Sequence, residues 1–216
     1  MTHQPQSADF RSHFLTASQA FITLVKEIPE DAWNAPALGV WTVRDLVGHA
    51  SRAISTVEDY LARDAAGPAI TDPVEYFLLA LADADDPARK LNQDAAIASR
   101  GVEAGLQLGK DPAKALEELA ARVGARVQST GDSELLGTPV GPMTLAGYLP
   151  TRTFELAVHG CDLARTLDVS PPGLLHAGIA SACELAGRIA ARRSSAASLL
   201  LLITGRTGLP KGTGIL

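Results

Sequence analysis

Residues 154–162 of the chain have the sequence FELAVHGCD, which places Glu155 and His159 one helical turn apart. Residues at positions i and i+4 lie on the same face of a helix, so both side chains can point at one spot. A second stretch more than a hundred residues earlier, 41–49 or WTVRDLVGH, ends in another histidine, His49. On facing helices, these three side chains would form a divalent-metal site with open coordination positions. Such a site is catalytic in character, because structural zinc sites normally have four protein ligands.

The composition favours an all-α protein that does not bind duplex nucleic acid. Hydrophobic residues make up 46% of the 216 residues, which is enough for a buried core, and aromatic residues only 5%. Alanine and leucine are abundant and are strong helix formers, whereas runs of β-branched residues are scarce. The net charge of −5 and the absence of a dense Lys/Arg stripe argue against a nucleic-acid partner.

The sequence also favours a cytoplasmic protein without a membrane segment. Residues 1–6, MTHQPQ, lack the basic and apolar regions of a signal peptide. No apolar stretch approaches the roughly 20 residues that a membrane-spanning helix needs. The two cysteines, Cys161 and Cys183, are too few and too far apart in the sequence to suggest a disulfide framework.

Hydrophobic spacing, caps and prolines predict a series of antiparallel helices joined by short connections. The pattern predicts an up-and-down helical bundle in residues 1–168, followed by a short helical extension in 169–216 that packs on it. Residues 130–141 are predicted to be a loop, and the final segment from 195 favours a helix. The predicted helices cover residues 7–28, 42–64, 73–108 with a break near 85–87, 112–129, 143–168 and 172–193.

The residues alone leave two interpretations of the histidines open. A lone histidine on a helix is most often a surface or core residue, and a Glu-x-x-x-His pair can be a simple i,i+4 contact. However, His49 shares an apolar stripe with Leu46 and Ala53, which turns it toward the core. Glu155 and His159 also lie in an apolar helix, and buried polar groups need a partner that a divalent ion can supply.

Two further residues are candidates for supporting roles near these histidines. Arg52 lies three residues after His49 on the same face, where it would bind a carboxylate of a substrate or pair with a nearby acidic residue. Asp162 lies three residues after His159, where it would accept a hydrogen bond from that histidine and fix its tautomer, or face solvent. Both alternatives stay open for each residue.

The two stretches resemble the signatures of a known family. Residues 41–49 and 155–164, the latter ELAVHGCDLA, are similar to the two motifs of the mycothiol-dependent maleylpyruvate isomerase branch of the DinB-like superfamily. Residues 202–206, LITGR, with Leu209 and Pro210 resemble the ending of its shorter members. The resemblance runs from about residue 10 to the end of the chain. It implies a DinB-like four-helix bundle that holds a divalent metal, usually zinc, through His49, Glu155 and His159.

The resemblance also implies an activity. The expected protein is an enzyme that uses a low-molecular-weight thiol, mycothiol by resemblance, in S-transfer or cis–trans isomerisation of a small electrophilic substrate. A thiol bound to zinc loses its proton, and the thiolate is the nucleophile. The alternatives are a metal-assisted hydrolase and a non-catalytic metal-containing bundle that binds a small molecule or a partner protein. No catalytic residue is assigned, and a homodimer is one expected assembly.

Overall fold

The computed structural model describes residues 7–82, 86–193, 195–206 and 208. The predictions for residues 1–6 and 209–216 lie outside these described residues. Within the described ranges the chain forms eight α-helices and one two-stranded hairpin, which confirms the predicted helical fold class. The helices are α1 Ser7–Lys26, α2 Val43–Leu61, α3 Pro73–Ala80, α4 Pro87–Gln107, α5 Pro112–Ser129, α6 Leu145–Thr166, α7 His176–Arg192 and α8 Ala196–Ile203.

Helices α1, α2, α5 and α6 pack around one core, and α4 lies against the outer side of α2. Each of the four bundle helices contributes fully buried apolar side chains to this core. Because these residues recur at helical periodicity, each helix presents an apolar face to the shared core. Representative core residues, one from each of these helices in order, are Phe14, Leu46, Leu116 and Leu149.

The start of α2 is fixed by a capping box. The hydroxyl of Thr42 accepts a hydrogen bond from the backbone N–H of Asp45, and the Asp45 carboxylate accepts one from the Thr42 N–H at 3.0 Å. These reciprocal bonds satisfy two backbone groups that the helix leaves open, so the first turn begins at a defined residue. His49 therefore has a defined place on the second turn of α2.

The predicted loop at residues 130–141 is wrong in part, because it contains half of a β-hairpin. Strand β1, Leu135–Thr138, pairs antiparallel with strand β2, Gly141–Thr144. The Thr138 hydroxyl donates a hydrogen bond to the Gly141 carbonyl at 2.6 Å, and Gly141 adopts a positive φ of 123° that glycine permits without strain. The hairpin moves the start of α6 to residue 145, with Thr144 as its N-cap.

The C-terminal part of the described chain is helical and packs on the bundle. Helix α7 contacts α6, α1 and α3. Two ion pairs join α7 to α3: Arg188 to Asp72 at 2.7 Å and Arg192 to Glu75 at 2.8 Å. Helix α8 follows at residues 196–203, in agreement with the helix favoured for this segment. The division of the chain into two units at residue 168 stays a prediction. None of the described helices combines the length and apolarity needed to cross a bilayer.

Candidate metal centre

The packing of α2 against α6 brings the two sequence stretches together. Side-chain atoms able to bind a metal in His49, Glu155 and His159 all lie within 4.8 Å of one another. The His159 Nε2 atom is 3.4 Å from Glu155 Oε2, and the rings of His49 and His159 lie nearly perpendicular with centroids 4.7 Å apart. The structure thus places the three predicted ligands around a common point, and their ligand role stays a prediction.

Burial and mutual charge set the protonation of these groups in the metal-free protein. Burial, and next the neighbouring charge of His159, lower the pKa of His49 to about 4. Burial also opposes a charge on His159, but hydrogen bonds to Asp162 and Glu155 outweigh it and raise its pKa to about 9. Burial disfavours the Glu155 carboxylate too, yet the His159 hydrogen bond and the Arg152 charge lower the pKa of Glu155. At neutral pH the centre therefore holds a neutral His49 and a charged Glu155–His159 pair.

The donor atoms fit a divalent metal. The buried Nδ1 atom of His49 has no hydrogen-bond partner among the described residues. An unsatisfied buried polar atom costs about 1–3 kcal/mol, so a cation that gives the imidazole a partner would relieve this cost. Two imidazoles and one carboxylate form a ligand set that zinc and other divalent transition metals accept, with coordination positions left open.

Asp162 lies next to the candidate centre on α6. Its Oδ2 atom is 3.2 Å from His159 Nδ1, and its Oδ1 atom accepts a hydrogen bond from Arg165 at 3.3 Å. The contact that the predicted orienting role requires is therefore present. Because Nδ1 faces this carboxylate, Nε2 is the nitrogen that faces Glu155 and the centre.

Arg52 lies one turn from His49 on α2 and is half-buried. Its guanidinium group has no hydrogen bond or ion pair with another residue in the part of the chain that the structure describes. Its positive charge reaches His49, where it contributes to the lowered pKa. The interpretation of Arg52 as one half of an ion pair therefore finds no acidic partner in the described ranges.

Trp41, which precedes the start of α2, lies beside the two histidines. The Trp41 ring lies 4.5 Å from the His49 ring and 6.5 Å from the His159 ring, measured between centroids. Its indole N–H donates a hydrogen bond to the carbonyl of Ala98 on α4 at 3.2 Å. Trp41 therefore borders the candidate centre. Because it precedes α2, helical spacing from His49 does not predict this contact.

The sequence-based interpretation missed Arg152, a buried cation beside the centre. Its side chain lies over the rings of Tyr148 and Tyr76, with the guanidinium carbon 4.7 and 5.2 Å from their centroids. The residue is only 7% exposed, and its charge favours the ionised form of Glu155. The available signal was its position three residues before Glu155 in an apolar helix, the spacing that places two side chains on one helix face.

Comparison with known proteins identifies a family for this chain. A search of curated proteins and a search of solved structures find no match. A family model described as the mycothiol maleylpyruvate isomerase N-terminal domain matches residues 14–164. The matched region begins in α1, ends in α6, and includes His49, Glu155 and His159. Since the match spans well over half of the chain, the protein belongs to the mycothiol maleylpyruvate isomerase N-terminal domain family.

Proposed function

We propose that the protein is a divalent-metal-dependent enzyme, with zinc as its metal and mycothiol as its thiol co-substrate. Its reaction would be S-transfer to, or cis–trans isomerisation of, a small electrophilic substrate. The observation that carries the proposal is the cluster of His49, Glu155 and His159, in which the buried His49 Nδ1 atom lacks a partner. The family membership supports the thiol. A cytoplasmic location and a homodimeric assembly stay predictions.

Each residue of the centre has a distinct task in this proposal. His49, Glu155 and His159 would hold the metal, and Asp162 would keep the His159 ring oriented through its Nδ1 atom. A bound zinc ion would supply Lewis acidity that favours the thiolate form of a coordinated thiol. Cys161 does not suit the part of the reactive sulfur, because burial and the nearby Asp162 charge raise the pKa of its thiol. The nucleophilic sulfur would therefore come from the co-substrate.

Cobalt substitution provides the test of this function. The protein loaded with Co²⁺ is expected to show a visible spectrum that changes on titration with mycothiol and gains a near-ultraviolet band typical of sulfur bound to cobalt. The expected cause is that three protein ligands leave positions for an incoming sulfur. The Glu155→Gln variant should respond in proportion to its remaining metal content.

The comparison arm is a titration with a simple thiol of similar acidity. A response to mycothiol at lower concentration than to the simple thiol would support the co-substrate assignment. A spectrum that responds to neither thiol would contradict the enzyme and favour a non-catalytic metal-containing bundle.

We further propose that Arg52 binds an anionic group of the substrate. Two arginines, Arg52 and Arg152, act electrostatically on His49 together with protonated His159, and Glu155 is the carboxylate whose charge reaches the same ring. A divalent ion that displaces the proton of His159 would make the centre more positive by one charge, so an anionic ligand would be attracted. Arg152 is buried, whereas the half-buried Arg52 is free to donate bidentate hydrogen bonds to a carboxylate.

Maleate, a small dicarboxylate, probes the role of Arg52. Its binding to the cobalt-loaded protein, followed by the visible spectrum, is expected to weaken about tenfold or more in Arg52→Gln, because a hydrogen bond to a charged group contributes about 1.5–3 kcal/mol. The exposed Arg100 on α4 provides the matched control, Arg100→Gln. Equal maleate affinity in Arg52→Gln and the unmodified protein would contradict the assignment.

Zinc binding to the metal-free protein is expected to release about one proton at pH 7. His159, with its pKa raised to about 9, is protonated at this pH and must lose its proton to bind, whereas His49 is already neutral. The apparent zinc affinity should therefore rise about tenfold per pH unit between pH 7 and about 9, and level off above. Calorimetry in two buffers of different ionisation enthalpy measures the proton.

The Asp162→Asn variant provides the control for this titration. Its loss of a carboxylate beside His159 should lower the pH at which the affinity levels off, because Asp162 helps to raise the pKa of that histidine. Identical heats in both buffers at pH 7 for the unmodified protein would contradict the assigned protonation.

A further inference from the structure

The two histidines of the candidate centre are held in different ways. The His159 ring is oriented by a carboxylate, since its Nδ1 atom is 3.2 Å from Asp162 Oδ2. Metal-binding histidines almost always have such a hydrogen-bond partner for their second nitrogen. No hydrogen bond to either ring nitrogen of His49 is present among the described residues, and its Nδ1 is buried. Among the described residues, packing contacts rather than hydrogen bonds therefore orient the His49 ring.

The indole ring of Trp41 is the group in contact with that imidazole. The two rings are separated by 4.5 Å between centroids and inclined by 31°, so they pack against each other in a tilted arrangement. The backbone of Trp41 is fixed as well, because its N–H donates to the Leu38 carbonyl and its carbonyl accepts from the Ala37 N–H, both at 2.9 Å. The Trp41 residue that packs on His49 is therefore fixed by hydrogen bonds at its backbone and, through the Ala98 carbonyl, at its indole N–H.

Helix α4 contacts both the Trp41 ring and Gly48, the residue that precedes His49. A Cβ atom at Gly101 would lie 3.1 Å from the Trp41 indole, so the α4 backbone touches the ring directly. The adjacent contact is closer still, because a Cβ atom at Gly48 would lie 2.1 Å from the Gly105 backbone nitrogen. Gly48 therefore packs directly against the α4 backbone, and the same helix contacts the indole ring of Trp41.

We propose that Trp41 is the positioning residue of His49, and that its ring, packed on the imidazole, orients that imidazole toward the metal in place of a hydrogen-bond partner. This inference rests on the proposed metal centre. It extends the centre from the three ligands to α4, which contributes no ligand but holds Trp41 through Ala98 and Gly101. Trp41 itself is not a ligand and does not act in the chemistry directly.

Three variants test the inference by metal affinity and by the visible spectrum of bound Co²⁺. Trp41→Leu removes the aromatic ring and is expected to weaken zinc binding by about 10- to 100-fold, the loss that removal of a ligand-orienting partner typically causes. The cobalt spectrum should change in shape, since the ligand field depends on the direction of the imidazole. Trp41→Phe keeps a ring against His49 and should recover most of both properties. The control is Trp33→Leu, which removes the other tryptophan, stacked under Arg44 at 4.9 Å.

Urea unfolding of the metal-free variants separates positioning from general stability. Equal loss of zinc affinity in Trp41→Leu, Trp41→Phe and Trp33→Leu, in proportion to lost stability, would overturn the positioning role. Unchanged affinity and spectrum in Trp41→Leu would overturn it as well, while leaving the metal centre intact. If the unmodified protein binds no metal at all, the proposed function fails and the inference fails with it.

Discussion

Replacing either His49 or His159 by alanine is expected to abolish stoichiometric zinc binding. Each substitution leaves two ligands of a three-ligand set whose atoms lie within 4.8 Å of one another. Loss of an outer partner of a ligand already weakens metal binding by about 10- to 100-fold, so loss of a ligand itself should exceed about 100-fold. Elemental analysis after dialysis should give close to one equivalent for the unmodified protein and almost none for either variant.

The exposed His176 at the start of α7 provides the matched control. His176→Ala should retain the full equivalent of zinc, because its side chain lies outside the cluster. All three variants should keep the helical circular dichroism signal, since the core is built from apolar residues of four helices and does not depend on the metal. Retention of a full equivalent in His49→Ala or His159→Ala would contradict the ligand assignment.

The substitution Gly48→Ala is expected to destabilise the protein more than any other single methyl group added to a described helix. The new Cβ atom would lie 2.1 Å from the Gly105 nitrogen and 2.5 Å from the Gly101 carbonyl oxygen, both backbone atoms of α4. Neither atom can move without shifting the whole helix. Overpacking of this kind typically costs about 1–3 kcal/mol, and the upper end is expected here because backbone meets backbone. Urea unfolding measures the loss.

Gly187 in α7 provides a matched control for this substitution. A Cβ atom there would meet no atom within 4 Å, so Gly187→Ala should stabilise the protein by about 0.5–1 kcal/mol through helix propensity alone. Because Gly48 adjoins His49, Gly48→Ala should also weaken zinc binding, whereas Gly187→Ala should not. A free energy of unfolding for Gly48→Ala within about 0.5 kcal/mol of the unmodified protein would contradict the close helix contact.

The starts of α2, α3, α4 and α5 could be predicted from the sequence because their signals are local. Thr42 and Asp45 form a capping box, and the Asp-Pro pairs at 72–73, 86–87 and 111–112 begin helices α3, α4 and α5. The hairpin at 135–144 escaped prediction because each strand has only four residues, too few for alternation to stand out. Its inward side chains, Leu136 and Met143, are buried by tertiary packing alone.

The same distinction applies to the candidate site: its ligands have local sequence signals, whereas the residues around them are brought there by tertiary packing. Glu155 and His159 could be paired from their spacing, and the apolar stripe around His49 indicated that it faces inward. The family motif then supported all three as one ligand set. The surroundings were less accessible to sequence reasoning. Trp41 reaches the site through contacts with Ala98 and Gly101, and no spacing in the sequence encodes the crossing of α2 and α4. Arg152 had the correct spacing, but its charge gave no indication that it would be buried.

The most direct test of the metal centre is anomalous diffraction at the zinc absorption edge from crystals of the zinc-loaded protein. We expect one strong anomalous peak per chain. The zinc ion at this peak should be bound by one nitrogen each of His49 and His159 and by the Glu155 carboxylate. The His159 nitrogen should be Nε2, because Nδ1 faces Asp162. A peak at another place on the chain would contradict the proposed metal centre. A zinc ion at the centre with four protein ligands would contradict its open coordination position.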